Sequence, residues 1–437
     1  MNDILYLLNM TISGIKNIEK PITLDFYKKT VDATFNADNY RVKAIYGENG
    51  SGKSAIVTAV HIFKRLMLNR NYLSENKTQT FLEEIVNKKT KSFRFSFEYL
   101  YRNETVDLVC KYSIELSKGQ TDQFEITHEV LRTRSGMYPN SKFRTQIECK
   151  DGQIVDTSID APFRDELVKA SLNILQVKSI IGIALMNFLE KNQVQEDSVF
   201  ESAIFSCMIL TMNIKTYLET EDQHEYYLIT KLIGEMRFSD LHTENWRSVL
   251  DPVSVNDSVI DNKNYKRYEA LIGQLTVFLK LFKPNLVSID INSKQIGDKL
   301  HCDLNLNYGE YIINREFEST GIKKLIRLFD CFQAASSGGI VFIDEMDSNL
   351  NDIYLCRLIE FFMYYGSGQL CFTTHNLDPM AVLSENKNSI DFLSSDNRIV
   401  SWKKRGNATP DNSFRNGMIE HLPFNIEASD FLGVLGE

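Results

Sequence analysis

The spacing of apolar and polar positions changes several times along the chain, and each change predicts a different element. Residues 4–12 and 22–26 are rich in β-forming side chains and flank Gly14-Ile15-Lys16-Asn17, which predicts an opening hairpin. Val42-Lys43-Ala44-Ile45-Tyr46 reads as a buried strand, and residues 55–63 carry apolar side chains on a helical period. Residues 69–91 are polar and lysine-rich and read as a surface connection. Alternation then sets in: Phe93, Phe95, Phe97 and Tyr99 point one way, with Arg94, Ser96 and Glu98 between them. Residues 106–116 and 124–132 continue it, predicting an antiparallel sheet with one wet face, and Ser135-Gly136 and Asp151-Gly152 mark turns.

From about residue 162 the period becomes helical, in 166–189, 200–218, 226–236 and 265–282, with a polar loop at 240–264. No sustained heptad register runs through these segments, so they predict a compact helical insertion and not a coiled-coil arm. The β pattern returns at 286–291, 300–306 and 311–317, followed by a helix at 322–335. Gly339-Ile340-Val341-Phe342-Ile343 is a continuous apolar run of strand length. A helix at 353–365, a strand at 369–372 and a strand pair at 390–393 and 398–402 complete the pattern. Strands alternating with helices on both sides of the insertion predict an α/β fold. Its parts are a central, mostly parallel sheet with helices on both faces, an antiparallel β lobe and the helical insertion. The boundaries divide the chain into 1–158, an insertion at 159–282, and 283–437.

Composition narrows the partners. With a net charge of −9, a general electrostatic grip on nucleic acid is not expected. The clusters Lys403-Lys404-Arg405 and Lys88, Lys89, Lys91 read as solvated faces. The seven cysteines are dispersed, with no C-x-x-C pair, which suits reduced thiols in the cytoplasm. The first residues carry no secretory pattern, and the most apolar stretches, 180–189 and 203–212, fall short of the roughly 20 residues a membrane span needs. The tail 405–437 holds apolar anchors, Phe414, Met418, Leu422, Phe424 and Phe431 among them, and reads as packing on its own core.

The chemistry begins at Gly47-Glu48-Asn49-Gly50-Ser51-Gly52-Lys53-Ser54, a full G-x-x-x-x-G-K-[ST] pattern between a strand and a helix. Gly47, Asn49, Gly50 and Gly52 let backbone N–H groups turn onto phosphate oxygens, and the following helix points its positive end at the same anion. Lys53 reaches the β- and γ-phosphates, and the Ser54 hydroxyl ligates Mg²⁺. ATP and Mg²⁺ are the expected cofactors. The run 339–343 ends in Asp344-Glu345: read alone, the pair is either the polar end of a strand or an acid placed to hold Mg²⁺ through water, followed by a glutamate able to polarise the attacking water as general base. Thr373-Thr374-His375 follows a second apolar strand, from which His375 can reach a γ-phosphate.

Strand, Asp-Glu, helix, strand and Thr-Thr-His, in that order after a P-loop, resemble the ABC-type ATPases of the SMC, RecF and OLD-like branch. The closest resemblance is to the small ATPases of bacterial anti-phage and abortive-infection systems. It covers about 1–155 and 283–437. Glu318-Ser319-Thr320-Gly321-Ile322-Lys323-Lys324 stands where the family's signature belongs, departing from it but keeping the serine and glycine. The resemblance implies that Asp344 is the Walker B aspartate, Glu345 the catalytic glutamate, 348–351 the D-loop and His375 the switch histidine. It also implies a head-to-tail homodimer in which Ser319 and Gly321 cap the ATP held by the partner's P-loop. Asn351-Asp352 stands where many members have His-Pro, and Gln79, a weak candidate for the Q-loop glutamine, reads rather as a surface glutamine.

Four functions are compatible with this inventory. The favoured one is an ATP-switched sensor in phage defence that controls a separate effector, a nuclease or toxin, and is triggered by DNA or a phage protein. A DNA-repair ATPase acting directly on DNA is the alternative. An ABC transporter subunit is disfavoured by the departing signature and the large insertion. A self-contained nuclease needs a further catalytic domain, for which the residues after His375 are too few.

Overall fold

The computed structural model describes residues 4–191, 198–218, 253–386, 388–403 and 408–419. The opening hairpin is β1 (Ile4–Ser13) with β2 (Ile22–Asp25), and β3 (Val42–Gly47) leads through the glycine loop into α1 (Lys53–Leu68). The segment 69–91 is more than a surface connection. It contains α2 (Asn76–Ile85), whose Leu82 and Ile85 are buried while its other face is polar. The apolar positions are few but helically spaced, and the polar majority hid them.

The alternating region forms β4 (Ser92–Arg102), β5 (Asp107–Lys118), β6 (Phe124–Ser135), β7 (Arg144–Lys150) and β8 (Gln153–Thr157). With the hairpin they make a seven-stranded antiparallel sheet in the order β2-β1-β4-β5-β6-β7-β8. Phe93, Phe95, Phe97 and Tyr99 all face the core, and Phe63 of α1 stacks on Phe95 at 5.2 Å and meets Phe97 edge-on at 4.6 Å.

Two readings of the helical region are corrected. Residues 166–189 are not one helix but α3 (Ala161–Ser171) and α4 (Ile180–Lys191), separated by a turn in which Asn173 takes a φ of +62°. The helix expected over 200–218 is α5 (Val199–Asn213) and stops there, because Ile214-Lys215-Thr216-Tyr217 is the strand β9. Its β-branched and aromatic residues prefer a strand, but neither Gly nor Pro marks the boundary, so the apolar run before it set the period. The helix expected at 226–236 lies outside the described residues.

The chain continues through β10 (Val259–Asp261), α6 (Tyr265–Lys280), β11 (Ser288–Ile296), β12 (Lys299–Asn307) and β13 (Ile312–Asn314). Then come α7 (Thr320–Ser336), β14 (Ile340–Ile343), α8 (Asp352–Tyr364), β15 (Gln369–Thr373), α9 (Pro379–Leu383), β16 (Ile390–Leu393), β17 (Ile399–Ser401) and α10 (Pro410–Arg415). In the tail, Phe414 is buried and stacks on Phe392 at 5.3 Å, whereas Met418 is exposed; Leu422, Phe424 and Phe431 lie outside the described residues.

A six-stranded sheet runs β17-β16-β3-β15-β14-β9, parallel at every step except β17 on β16. This is the mostly parallel sheet of the α/β expectation, but the largest sheet of the molecule is the antiparallel one. Both faces of the parallel sheet are covered. Ile340 and Phe342 join the core shared with α1 and the antiparallel sheet, while Val341 and Ile343 join the core shared with α6, α7 and α8. Burial on both sides explains why β14, Ile340-Val341-Phe342-Ile343, reads as an unbroken apolar run. No helix among the described residues is long and apolar enough to cross a membrane.

Candidate functional site

Three neighbouring parallel strands, β3, β15 and β14, deliver three polar segments to one edge of the sheet. Ligands of open α/β sheets sit at this edge, beyond the carboxyl ends of the strands. β3 ends in the glycine loop. Gly50 and Gly52 take φ values of +78° and +107°, which other residues rarely adopt, and a Cβ on Gly52 would lie 2.8 Å from Asn17 Oδ1. The loop passes directly into α1, whose first turn has no side-chain cap. Uncapped N–H groups and the helix dipole make this a ready anion site.

Lys53 is buried, and its Nζ donates to the carbonyls of Gly47 at 2.9 Å and Glu48 at 3.0 Å. Burial lowers its pKa, and the charges of Asp344, Glu345, Asp347 and Glu48 work the other way. The cation thus sits in the field of the acidic segment at the end of β14. Ser54 is half-buried beside it, and Asn49 and Gly50 are exposed at the crest of the loop.

The register of β14 on β15 pairs Ile343 with Phe372, so Asp344 falls beside Thr373. The Thr373 hydroxyl donates to Asp344 Oδ1 at 2.6 Å and accepts from the Glu345 N–H at 2.8 Å. One buried threonine therefore fixes both acids. Glu345 has a φ of +47°, a left-handed conformation that costs a non-glycine residue on the order of 1 kcal/mol or more and persists where the surroundings fix it. His375 follows β15; its N–H donates to Asp347 Oδ2 at 3.4 Å. Desolvation and the Lys53 ammonium lower its pKa, which favours a neutral ring able to hydrogen-bond a phosphate oxygen.

The structure adds Lys16 to the expected set. It lies in the turn between β1 and β2 with a φ of +48°, its N–H donating to Ile85 O at 2.6 Å and its carbonyl accepting from Asn87 Nδ2 at 2.8 Å. Desolvation lowers its pKa and the Asp344 charge opposes that, so a second cation shares the acidic field. Its neighbour Asn17 donates to Gly50 O and ties the turn to the glycine loop. The visible signal in the sequence was only a polar hairpin tip.

Ser319 and Gly321 belong to the start of α7. Ser319 is exposed, and its N–H is held by Glu318 Oε2 at 2.8 Å. A Cβ on Gly321 would stand 2.8 Å from Asn349 O, so the glycine lets α7 approach the 348–351 loop closely. Gln79 is a structural clamp: its Nε2 donates to Leu73 O and Phe124 O, and its Oε1 accepts from the Phe124 N–H.

Among the described residues no cluster of three or more His, Cys, Asp or Glu could hold a metal by itself. Ser54 and Asp344 fit a different kind of site, in which Mg²⁺ takes one or two protein oxygens and completes its shell with phosphate and water. Thr373 engages Asp344 Oδ1, and the carboxylate would hold a hydrated ion through its other oxygen.

No family model and no curated protein matches the chain in sequence. Among solved structures it is similar to an SMC head bound to the C-terminal winged-helix domain of ScpA, at 15% identity and a TM-score of 0.43, covering 91% of this chain and 98% of that one. It is also similar to the recombination mediator RecF with ATPrS, at 11% identity and a TM-score of 0.41, covering 92% and 99%. These likenesses are loose, and the chemistry of the site stands on its own residues.

Proposed function

We propose that the chain is a Mg²⁺-dependent ATPase of the ABC type. The observation that carries this reading is the convergence of Lys53, Asp344, Glu345 and His375 at one edge of the parallel sheet, next to an uncapped helix start. Loop N–H groups and Lys53 hold the β- and γ-phosphates, and Ser54 and Asp344 hold the ion. Mg²⁺ bound there would neutralise charge on the phosphate oxygens. Glu345 takes a proton from the attacking water, and His375 orients the γ-phosphate. The products are ADP and phosphate.

In the finer reading the chain works as a head-to-tail homodimer, with Ser319 and Gly321 of one copy capping ATP on the other. It acts as a nucleotide-switched regulator in phage defence, triggered by DNA or a phage protein and controlling a separate nuclease or toxin. The exposure of Ser319 and the position of Gly321 at an α-helix start support the first part. The sequence resemblance supports the second.

Complementation tests the dimer. Lys53→Ala and Ser319→Arg homodimers are each expected to be inactive, and a mixed population is expected to regain ATPase through the one intact pairing. Proven heterodimers without recovery contradict shared sites. Expressing the gene alone under phage challenge tests the effector: robust protection, with nucleic-acid cleavage lost in Lys53→Ala, contradicts a separate one. ATPase strongly stimulated by DNA alone favours direct action on DNA.

A further inference from the structure

Lys324 is a lysine in the wrong place for solvent. It lies on α7 among the buried residues Ile322, Leu325, Ile326 and Leu328 and is itself 2% exposed. Burying an ammonium is costly unless its hydrogen bonds are met, and an apolar residue would serve packing better. Its Nζ donates to Ser348 Oγ at 2.8 Å and to the Glu345 carbonyl at 3.1 Å, and lies 4.5 Å from the centre of the Tyr217 ring.

The Glu345 peptide is held from both ends. Its N–H is fixed by Thr373, and its carbonyl accepts from Lys324 and from the Ser348 N–H at 3.1 Å. Between these anchors the residue sits in the left-handed region, at a φ of +47°. The direction of a side chain follows from the backbone that carries it. If Glu345 relaxed to an ordinary φ, its carboxylate would swing away from its present aim. Lys324 therefore opposes relaxation from the carbonyl side. It also links three elements: α7, which starts at the signature residues; the Glu345 peptide; and the 348–351 loop.

We propose that Lys324 is a positioning residue for Glu345, holding its strained peptide so that the carboxylate is aimed at the attacking water, and tying that aim to the start of α7. The proposal rests on the ATPase reading and on Glu345 as general base. A misplacement of about 1 Å at a reacting group can cost on the order of 10²-fold in rate.

The test is a double-mutant cycle on the full chain, with steady-state and single-turnover ATP hydrolysis and binding of a fluorescent ATP analogue measured for each variant. Lys324→Met is expected to lower kcat by about 10- to 100-fold while KM and analogue affinity stay within about threefold, because Lys324 acts through Glu345 and not on the nucleotide. In a Glu345→Gln background the same change is expected to cost less than about twofold more. Equal losses in both backgrounds, an unchanged kcat, or a parallel loss of nucleotide binding overturn the proposal. If Lys324→Met does not fold, Ser348→Ala decides: it removes one anchor of the ammonium and should lower kcat by about two- to tenfold at constant KM, and no change overturns the proposal. Parental protein without any ATPase activity fails the ATPase reading itself and takes the proposal with it. Parental hydrolysis unaffected by Lys324→Met fails the proposal alone.

Discussion

The two large sheets obey opposite rules. In the antiparallel sheet β4, β5 and β6 are 11, 12 and 12 residues long and keep a wet face, where Arg94 pairs with Glu115 at 3.0 Å and Ser113 with Ser96 at 2.8 Å. In the parallel sheet β3, β14, β15 and β16 are four to six residues long and buried at every position. The first sheet spends its polar residues along its length. The second buries a few in pairs, Lys43 with Asp391 at 2.7 Å among them, and gathers its site residues at one end, where the strands stop. Among the described residues the candidate chemistry lies at that end, beyond the carboxyl ends of the strands. The antiparallel sheet brings Lys16 and Asn17 to the site through its hairpin turn.

This contrast can be broken by substitution. The largest effect is expected for Phe97→Ala, which empties a site under Phe63 in the antiparallel lobe. Unfolding free energy should fall by about 3–5 kcal/mol while ATP turnover per folded molecule changes little. Denaturant titration beside an activity assay checks both; turnover lost in step with stability would make the lobe part of the catalytic site. Lys53→Ala should show the reverse: stability nearly kept, and kcat reduced by about 10²- to 10³-fold. Thr373→Val joins the two regimes, since it removes hydrogen bonds to both acids. It should cost about 1–3 kcal/mol of stability and a larger share of kcat than of nucleotide affinity. The smallest effect is expected for Arg94→Ala on the wet face, where an exposed pair is worth about 0–1 kcal/mol; a larger loss would show that this face is not merely solvated.

The same contrast explains what the sequence made legible. Gly47 to Ser54 is local chemistry, and eight adjacent residues suffice to read it. Asp344, Glu345 and His375 could be read because Asp344-Glu345 and Thr373-Thr374-His375 each follow an apolar run. Thr373, Lys324 and Lys16 could not. Their roles depend on the register of β14 on β15, on the packing of α7, and on a hairpin turn brought to the sheet edge from the start of the chain. A threonine at a strand end or a lysine on an amphipathic helix has no distinctive local pattern. β9 was missed for a related reason: four residues add a strand to a sheet whose other members lie far away in sequence.

The most direct test of the account is phosphate release from Mg²⁺-ATP by the purified protein and its Glu345→Gln variant, measured together with nucleotide affinity. The account predicts slow but measurable hydrolysis by the parental protein, and a loss of about 10²- to 10⁴-fold in the variant at unchanged affinity, because the base is removed and Lys53 with the loop N–H groups is not. Hydrolysis by Glu345→Gln at the parental rate would contradict it, since the residue at the end of β14 would then not be the base.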